Sequence, residues 1–203
     1  SADPLAREIT RRESLQSYLT MRLLVDRDLV EDSYRAYAYF RWVDDVVDKL
    51  SASNEDRAAF IRREWELIEG LYRGVRPEGL HRMETMVAEL IRNDRGPNSR
   101  LRSYIENFLA IIEFDAERSG RRITAAELRS YSDRLAVAVT DAIQYFIANG
   151  HPYPEDEHRT VAARAAHVTH MLRDLRQDLP AGYWNIPREF LEEHGIGPED
   201  WGN

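Results

Sequence analysis

The sequence of 203 residues predicts an all-α fold built as one domain, residues 1–203. Apolar residues recur at helical spacing along almost the whole chain, and short segments rich in Pro, Gly, Asn and Ser separate these stretches. Helix-capping patterns occur at several of the boundaries. A chain of this length buries about 70% of its unfolded surface, so one sizeable core is expected.

The first five predicted helices lie near residues 13–24, 28–50, 54–73, 79–93 and 99–118. The second contains the aromatic and branched run from Tyr34 to Leu50, which predicts burial. Breaks are predicted at residues 51–54, at Arg76-Pro77 and at residues 94–99.

Three more helices are predicted near residues 124–148, 156–179 and 187–194. The first follows Ser119-Gly120, begins with the capping box Thr124-Ala-Ala-Glu127 and stops at Asn149-Gly150. The next ends before Pro180-Ala-Gly182, and Pro187 suits the first turn of the last, which stops at Gly195.

Composition excludes several classes of function. The chain has 28 Lys and Arg against 36 Asp and Glu, a net charge of −8, and no basic stripe, so nucleic acid is not an expected partner. The absence of cysteine excludes disulfides, thiolate zinc sites and a cysteine nucleophile. Because no apolar run approaches about 20 residues and Ser1-Ala-Asp-Pro4 is no signal peptide, we expect a soluble cytoplasmic protein, with peripheral membrane contact as an alternative.

Two acidic ladders stand out, each on one face of a predicted helix. Residues three or four apart share a helix face, so the ladders comprise Tyr37, Arg41, Asp44 and Asp48, and His167, His170, Asp174 and Asp178. For either ladder alone, the ordinary interpretation is a solvated helix face, with Arg41 paired to Asp45 one turn on.

The position of these carboxylates favours a metal site. Like charges one turn apart cost about 0.2–0.5 kcal/mol per pair, and both ladders stand at the negative end of a helix dipole. Mg²⁺, or Mn²⁺ as an alternative, prefers oxygen ligands and is commonly held by one or two carboxylates together with substrate phosphates. Asp44, Asp48, Asp174 and Asp178 are therefore the predicted metal ligands, and they would grip a diphosphate without a glycine-rich loop.

The segment from Tyr37 to Asp48 resembles the Tyr-Ala-x-x-Arg-x-x-Asp-Asp-x-x-Asp motif of the squalene and phytoene synthase family, the head-to-head isoprenyl diphosphate synthases. The segment Leu172-Arg173-Asp174 to Asp178 is similar to that family's second motif. The resemblance implies an isoprenoid-synthase-like helical bundle with a central cavity. It also implies that this chain, which stops at Asn203, lacks C-terminal helices, so that a second copy or another chain could supply the missing wall.

The resemblance also implies a set of site residues and a reaction. Besides the four metal ligands, it assigns catalytic roles to Tyr37 and Arg41, and substrate contacts to Ser17, Tyr18, Arg41, Asp45, Tyr131, Val139, Ile143, His170 and Arg173. The helix from Tyr131, with an apolar stripe through Leu135, Val139, Ala142, Ile143 and Phe146, would line a prenyl tunnel.

In the implied reaction of terpenoid or carotenoid biosynthesis, Mg²⁺ assists ionisation of farnesyl or geranylgeranyl diphosphate. A second prenyl diphosphate attacks the cation, and a cyclopropyl intermediate rearranges to a C30 or C40 hydrocarbon. The resemblance leaves open whether NADPH serves as a reductant.

The chain departs from the family pattern at several positions. It has His167 for Gln, His170 for Asn and Gln177 for Glu, and Gly182-Tyr183-Trp-Asn185-Ile-Pro187 stands for Gly-Arg-x-Tyr-x-Pro. Two alternatives follow. His167, His170, Asp174 and Asp178 could bind zinc, manganese or iron in a phosphohydrolase or oxygenase. The chain could also be a non-catalytic helical scaffold that keeps the fold.

Overall fold

The computed structural model describes residues 4–50, 54–118, 120–151, 153–180 and 182–197. Within these ranges the protein contains nine α-helices and one 3₁₀ turn, and no strand beyond an isolated bridge between Arg122 and Trp184. The helices are α1 Pro4–Glu13, α2 Leu15–Leu24, α3 Val30–Lys49, α4 Asn54–Tyr72, α5 Arg82–Arg92, α6 Leu101–Arg118, α7 Ala125–Ile147, α8 Val161–Asp178 and α9 Arg188–Glu193. The prediction of an all-α fold is confirmed.

Helix α3 lies at the centre of the bundle. It contacts α1, α2, α4, α5 and α6, while α6 packs along α7 and α7 packs along α8. The predicted burial of the aromatic run is confirmed for its first part, since Tyr34, Tyr39, Phe40 and Val43 are all less than 5% exposed, whereas Asp48 and Lys49 near its end are exposed. Tyr39, Phe40 and Val43 join apolar residues of α4 to α7 in the main core, and Tyr34 packs in a second cluster with residues of α1, α2 and α5.

The N-terminal region differs from the prediction of a single helix near 13–24. The structure has two helices, because Ser14 interrupts the chain in extended conformation and its hydroxyl caps α2 by accepting from the Ser17 amide. The missed helix α1 begins at Pro4, a residue suited to a first helical turn, and buries Ala6 and Thr10 against the bundle.

Two sets of contacts fix α8, the helix that carries the second acidic ladder. Arg159, in the 3₁₀ turn Glu157–Thr160, bonds at 3.0 Å to the fully buried Asp141 of α7 and so fixes the start of α8. The segment after α8 is attached to the α6–α7 loop by backbone bonds from Gly120 to Gly182 at 3.0 Å and from Arg188 to Ile123 at 2.8 Å. Residues 183–185 are thereby placed beside the end of α6.

A search of the described helices finds none that is long and apolar enough to span a membrane.

Candidate active site

The two acidic ladders line the same cavity, which has a volume of about 380 Å³. Helices α3, α6, α7 and α8 and the segment after α8 form its walls. Its lining residues are Asp44, Asp48, Asp115, Arg118, Tyr131, His167, His170, Met171, Asp174, Asp178, Tyr183 and Asn185. Residues about 130 positions apart in sequence are thus brought together around one concave, mostly polar site.

The α3 side of the cavity carries crowded negative charge. Partial burial, and secondarily the neighbouring Asp48, raise the pKa of the Asp44 carboxyl above its usual value, while Arg41 opposes the shift. Arg41 lies 3.6 Å from Asp44 and pairs more closely with Asp45, at 2.9 Å. The predicted one-turn pair of Arg41 with Asp45 is therefore confirmed, and Arg41 itself does not line the cavity.

On the α8 side, the two aspartates have different environments. Asp174 accepts two hydrogen bonds of 2.7 Å from its neighbour Arg173, which lower the pKa of the Asp174 carboxyl. Asp178, the last residue of α8, accepts a 2.8 Å bond from the side-chain amide of Asn185. Asp174 is thus paired at the solvent edge, whereas Asp178 is held by the segment that follows it.

Helix α6 adds a charged pair that the sequence analysis missed. Arg118 is the last residue of α6, its side chain is 5% exposed, and its Nε donates to Asp115 at 2.6 Å. Its Nη1 donates to Asn185 Oδ1, also at 2.6 Å, and Tyr131 donates to the other oxygen of Asp115 at 3.0 Å. A continuous chain of bonds therefore links Tyr131, Asp115, Arg118, Asn185 and Asp178.

Aromatic rings surround the Arg118 guanidinium. Its central carbon lies 4.8 Å from the Tyr131 ring centroid and 5.2 Å from that of Tyr183. Burial raises the pKa of Asp115, and the adjacent Arg118 works against that shift. Burial likewise raises the pKa of Tyr131, so its hydroxyl stays protonated over the ordinary pH range and can donate a hydrogen bond.

The two histidines of the second ladder both line the cavity but differ in exposure. His167 is 9% exposed, and its Nε2 atom is buried and has no hydrogen-bond partner among the described residues. Burial, followed by the nearby charge of Arg118, lowers the pKa of His167 and favours the neutral ring. His170 is exposed. Among the described side chains, no group of three or more His, Cys, Asp or Glu is arranged to hold a metal ion by itself, and this includes the four residues of the transition-metal hypothesis.

Six of the predicted site residues meet at this cavity, and the remainder lie elsewhere. The six are Asp44, Asp48, Asp174, Asp178, Tyr131 and His170. Tyr18 is buried against Tyr34, with ring centroids 5.6 Å apart, and Ser17 bonds to Ser14. Tyr37, Arg41, Asp45 and Arg173 are also absent from the lining, although Arg41 and Arg173 contact the aspartates that do line it.

An apolar groove of about 650 Å³ adjoins the acidic cavity, and the two share Met171 and Asn185. It lies between the first half of α7, α8 and α9. Its apolar lining comprises Ala125, Leu128, Val168, Met171, Leu172, Leu175, Ile186, Pro187 and Phe190.

This groove lies along a different part of α7 from the predicted tunnel stripe. Val139 and Ile143 are 38% and 37% exposed and line neither the groove nor the acidic cavity. Phe146, on the same predicted stripe, is buried in the main core, and Ala142 packs against that core. The apolar groove next to the aspartates is lined by earlier residues of α7 and by α8, a helix that was predicted only to carry an acidic ladder.

One sequence signal could have revealed the α6 pair. Asp115 and Arg118 are three residues apart at the end of a predicted helix, directly before Ser119-Gly120. This arrangement parallels the two aspartate ladders, each of which also ends at a helix terminus. Tyr183 and Asn185 were noted only as departures from a motif, and their contacts with Arg118 required the structure.

Comparison with known proteins supports a relationship over nearly the whole chain. The profile of the family described as squalene/phytoene synthase matches residues 10–203. The chain is 30% identical over 191 residues to a presqualene diphosphate synthase of Zymomonas mobilis, covering 93% of this chain and 61% of that protein. It is 26% identical over 202 residues to a phytoene synthase of Rhodobacter capsulatus, covering 96% of this chain and 55% of that protein.

The chain thus spans about three fifths of the length of the presqualene diphosphate synthase that it matches. The match to the family profile includes both acidic ladders and every residue that lines the cavity. The chain belongs to the squalene/phytoene synthase family.

Proposed function

We propose that the chain forms the diphosphate-binding part of a prenyltransferase that joins two allylic prenyl diphosphates head to head. The observation that carries this proposal is the meeting of the α3 and α8 aspartates in one cavity that opens beside an apolar groove. A prenyl diphosphate has the same two-part chemistry, an anionic head and a hydrocarbon tail. The names of the matched relatives point to the same class of reaction.

The residues of the cavity fit Mg²⁺ better than a transition metal. Asp44, Asp48, Asp174 and Asp178 offer only oxygen ligands, which Mg²⁺ prefers. No described group of three ligands forms a closed metal site, and Mg²⁺ needs none, because substrate phosphates and water complete its coordination shell. When bound there, Mg²⁺ would supply positive charge to the departing diphosphate.

Electrostatics give a reason why the aspartates would bind the substrate only together with cations. Five aspartates line the cavity, and the raised pKa of Asp44 reflects the cost of keeping charge there. A diphosphate approaching them is repelled unless cations come between. Arg118 is the fixed cation of the cavity, and the Tyr131 hydroxyl stays protonated as a potential hydrogen-bond donor. These two groups would orient a phosphate oxygen or an aspartate rather than replace the metal.

The apolar groove would hold the hydrocarbon tail. Its aliphatic and aromatic lining removes the tail from water, and the shared residues Met171 and Asn185 place the start of the tail next to the acidic cavity. The carbon–oxygen bond of the substrate would then lie at the boundary between the two. Ionisation of that bond leaves an allylic cation in the apolar part and diphosphate in the polar part.

The test is magnesium-dependent turnover and binding by the purified chain. Farnesyl diphosphate and Mg²⁺ should release pyrophosphate, and Asp44→Asn or Asp174→Asn should abolish the release while the protein stays folded. Asp28→Asn is the matched control, since Asp28 lies outside the cavity and pairs with Arg95 at 2.5 Å. Binding of the substrate without release would favour the non-catalytic scaffold, and absence of both would contradict a diphosphate site altogether.

A further inference from the structure

The side-chain amide of Asn185 lies between a guanidinium and a carboxylate. Its Oδ1 accepts from Arg118 Nη1 at 2.6 Å, and its Nδ2 donates to Asp178 Oδ2 at 2.8 Å. Asn185 is 9% exposed, and the Arg118 side chain is 5% exposed. Both bonds are therefore largely shielded from competing water.

The orientation of this amide is dictated by its two partners. A guanidinium only donates hydrogen bonds, so the amide oxygen must face Arg118. An ionised carboxylate only accepts, so the amide nitrogen must face Asp178. Arg118 is in turn held by Asp115 and by the rings of Tyr131 and Tyr183. The whole arrangement therefore fixes one oxygen of Asp178 and leaves its other oxygen available.

The position of Asp178 in α8 does not by itself stabilise an ionised carboxylate. It is the last residue of α8, where the helix dipole is unfavourable to a carboxylate and the chain turns toward Pro180. Its own backbone carbonyl accepts from the Tyr183 amide at 2.9 Å, which ties the turn to the helix end but does not fix the side chain. Among the described contacts of Asp178, the Asn185 bond alone sets the direction of its carboxylate.

We propose that Arg118 and Asn185 are positioning residues that orient Asp178 toward the cation bound with a diphosphate. The inference rests on the function proposed above and goes beyond it by naming the residues that orient a carboxylate of the second ladder. Asn185 and Tyr183 stand where the resembling motif has Tyr and Arg, respectively. Arg118, reaching in from α6, places a cation beside both of those positions.

The experiment measures Mg²⁺-dependent binding of inorganic pyrophosphate by calorimetry, with the Mg²⁺ concentration for half-saturation as the main readout. Asn185→Leu keeps the side-chain volume and removes both bonds, and it should raise that concentration about 10- to 100-fold, the range typical for lost outer partners of metal ligands. Arg118→Met should have a similar effect. Arg118→Lys keeps a donor for Asn185 and should restore most of the affinity.

Non-additivity separates positioning from a general loss of packing. If Arg118 acts through Asn185, the double variant Arg118→Met/Asn185→Leu should bind no more weakly than Asn185→Leu alone. Asn107→Leu is the control, because Asn107 also lies on α6 and bonds within its own helix, at 2.8 Å to Ser103, away from the cavity. Thermal unfolding of each variant verifies that the fold persists.

The two possible failures are distinguishable. If the unaltered chain binds no pyrophosphate with Mg²⁺, the proposed function fails and the positioning role fails with it. If the unaltered chain binds and Asn185→Leu binds at the same Mg²⁺ concentration, the diphosphate site stands and the positioning role alone is wrong. Additive losses in the double variant would also overturn the proposed path through Asn185.

Discussion

Arg118 Nη1 lies 2.6 Å from Asn185 Oδ1, although the two residues are 67 positions apart in the chain. This bond fastens the end of α6 to the segment that follows α8. It stands beside the bond from Arg118 to Asp115 and the backbone bond from Gly120 to Gly182. The junction is thus part of the fold as well as part of the cavity wall.

We expect Arg118→Leu to destabilise the protein by up to about 3 kcal/mol, because it leaves the half-buried carboxylate of Asp115 without its cation. Asp115 keeps its bond from Tyr131 and is 30% exposed, which limits the loss. The matched change Arg102→Leu, also on α6, breaks an exposed pair with Glu106 and should cost no more than about 1 kcal/mol. Urea unfolding of both variants measures the difference, and equal losses in the free energy of unfolding would show that the Arg118–Asp115 pair stabilises the fold no more than the exposed pair does.

Local sequence patterns were sufficient for most of the fold. Helical spacing, Pro and Gly breaks and the Thr124 capping box located eight helices, since each depends on neighbours within one or two turns. Helix α1 was missed because its apolar face is short and Ser14 separates it from α2 by a single residue. Such a break depends on one cap rather than on a long polar segment.

The site was predicted less completely, and the reason is physical. The aspartate ladders are periodic and therefore visible in sequence, and the structure does bring them to one cavity. Asp115, Arg118 and Asn185 join that cavity through contacts between distant segments, which no local period encodes. The groove beside the aspartates was not predicted, because the apolar stripe through Val139 and Ile143 shows which helix face is apolar and not which neighbour covers it.

Tyr39→Phe should destabilise the protein at neutral pH by about 1–3 kcal/mol. The Tyr39 hydroxyl donates to Glu64 at 2.9 Å, and Glu64 is fully buried. The matched change Tyr72→Phe removes a buried hydroxyl for which the described part of the chain offers no hydrogen-bond partner, so it should cost little or nothing. Chemical unfolding at pH 7.5 compares the two, and equal costs would contradict a specific role for the Glu64 bond.

The same variant should show a defined pH dependence. Burial raises the pKa of Glu64 above its unfolded value, so the folded state binds the extra proton and gains stability as the pH falls through that raised pKa. Tyr39 opposes the shift, and its loss raises the pKa of Glu64 further. The cost of Tyr39→Phe should therefore be larger at pH 8 than at pH 5, and Glu64→Gln should remove this difference.

Asp44→Asn should leave the free energy of unfolding unchanged or raise it by up to about 0.5 kcal/mol at neutral pH, because it removes a charge that partial burial and the neighbouring Asp48 both disfavour. The pKa of Asp44 is raised in the folded state, so its ionised carboxylate lowers the free energy of unfolding above that pKa. This destabilisation disappears when Asp44 is protonated. The variant and the unaltered chain should therefore converge in stability toward acid pH. A substantial loss of stability at pH 7 would mark Asp44 as structural, and denaturant titrations at pH 4 and pH 7 decide this.

Thr124→Ala should cost about 1 kcal/mol through loss of the α7 cap. The Thr124 hydroxyl accepts from the Glu127 amide at 3.1 Å, and the Glu127 carboxylate accepts from the Thr124 amide at 2.8 Å. Arg121 also bonds to Glu127 and, together with the cap, lowers the pKa of that carboxyl to about 2. This folded-state pKa lies below the unfolded value of about 4.3. The ionised Glu127 therefore adds to the free energy of unfolding above about pH 4.3, and this contribution is lost as the pH falls toward 2.

Glu127→Gln should therefore be less stable than the unaltered chain at pH 7 and indistinguishable from it near pH 2. Glu78→Gln, at an exposed position before α5, should show no such convergence because it carries no cap. Fluorescence-detected urea unfolding across this pH range makes the comparison, and a Glu127→Gln deficit that persists at pH 2 would contradict the charge-based account. Because Ala125 and Leu128 of the same first turn line the apolar groove, weakening this cap should also loosen the wall against which a hydrocarbon tail would pack.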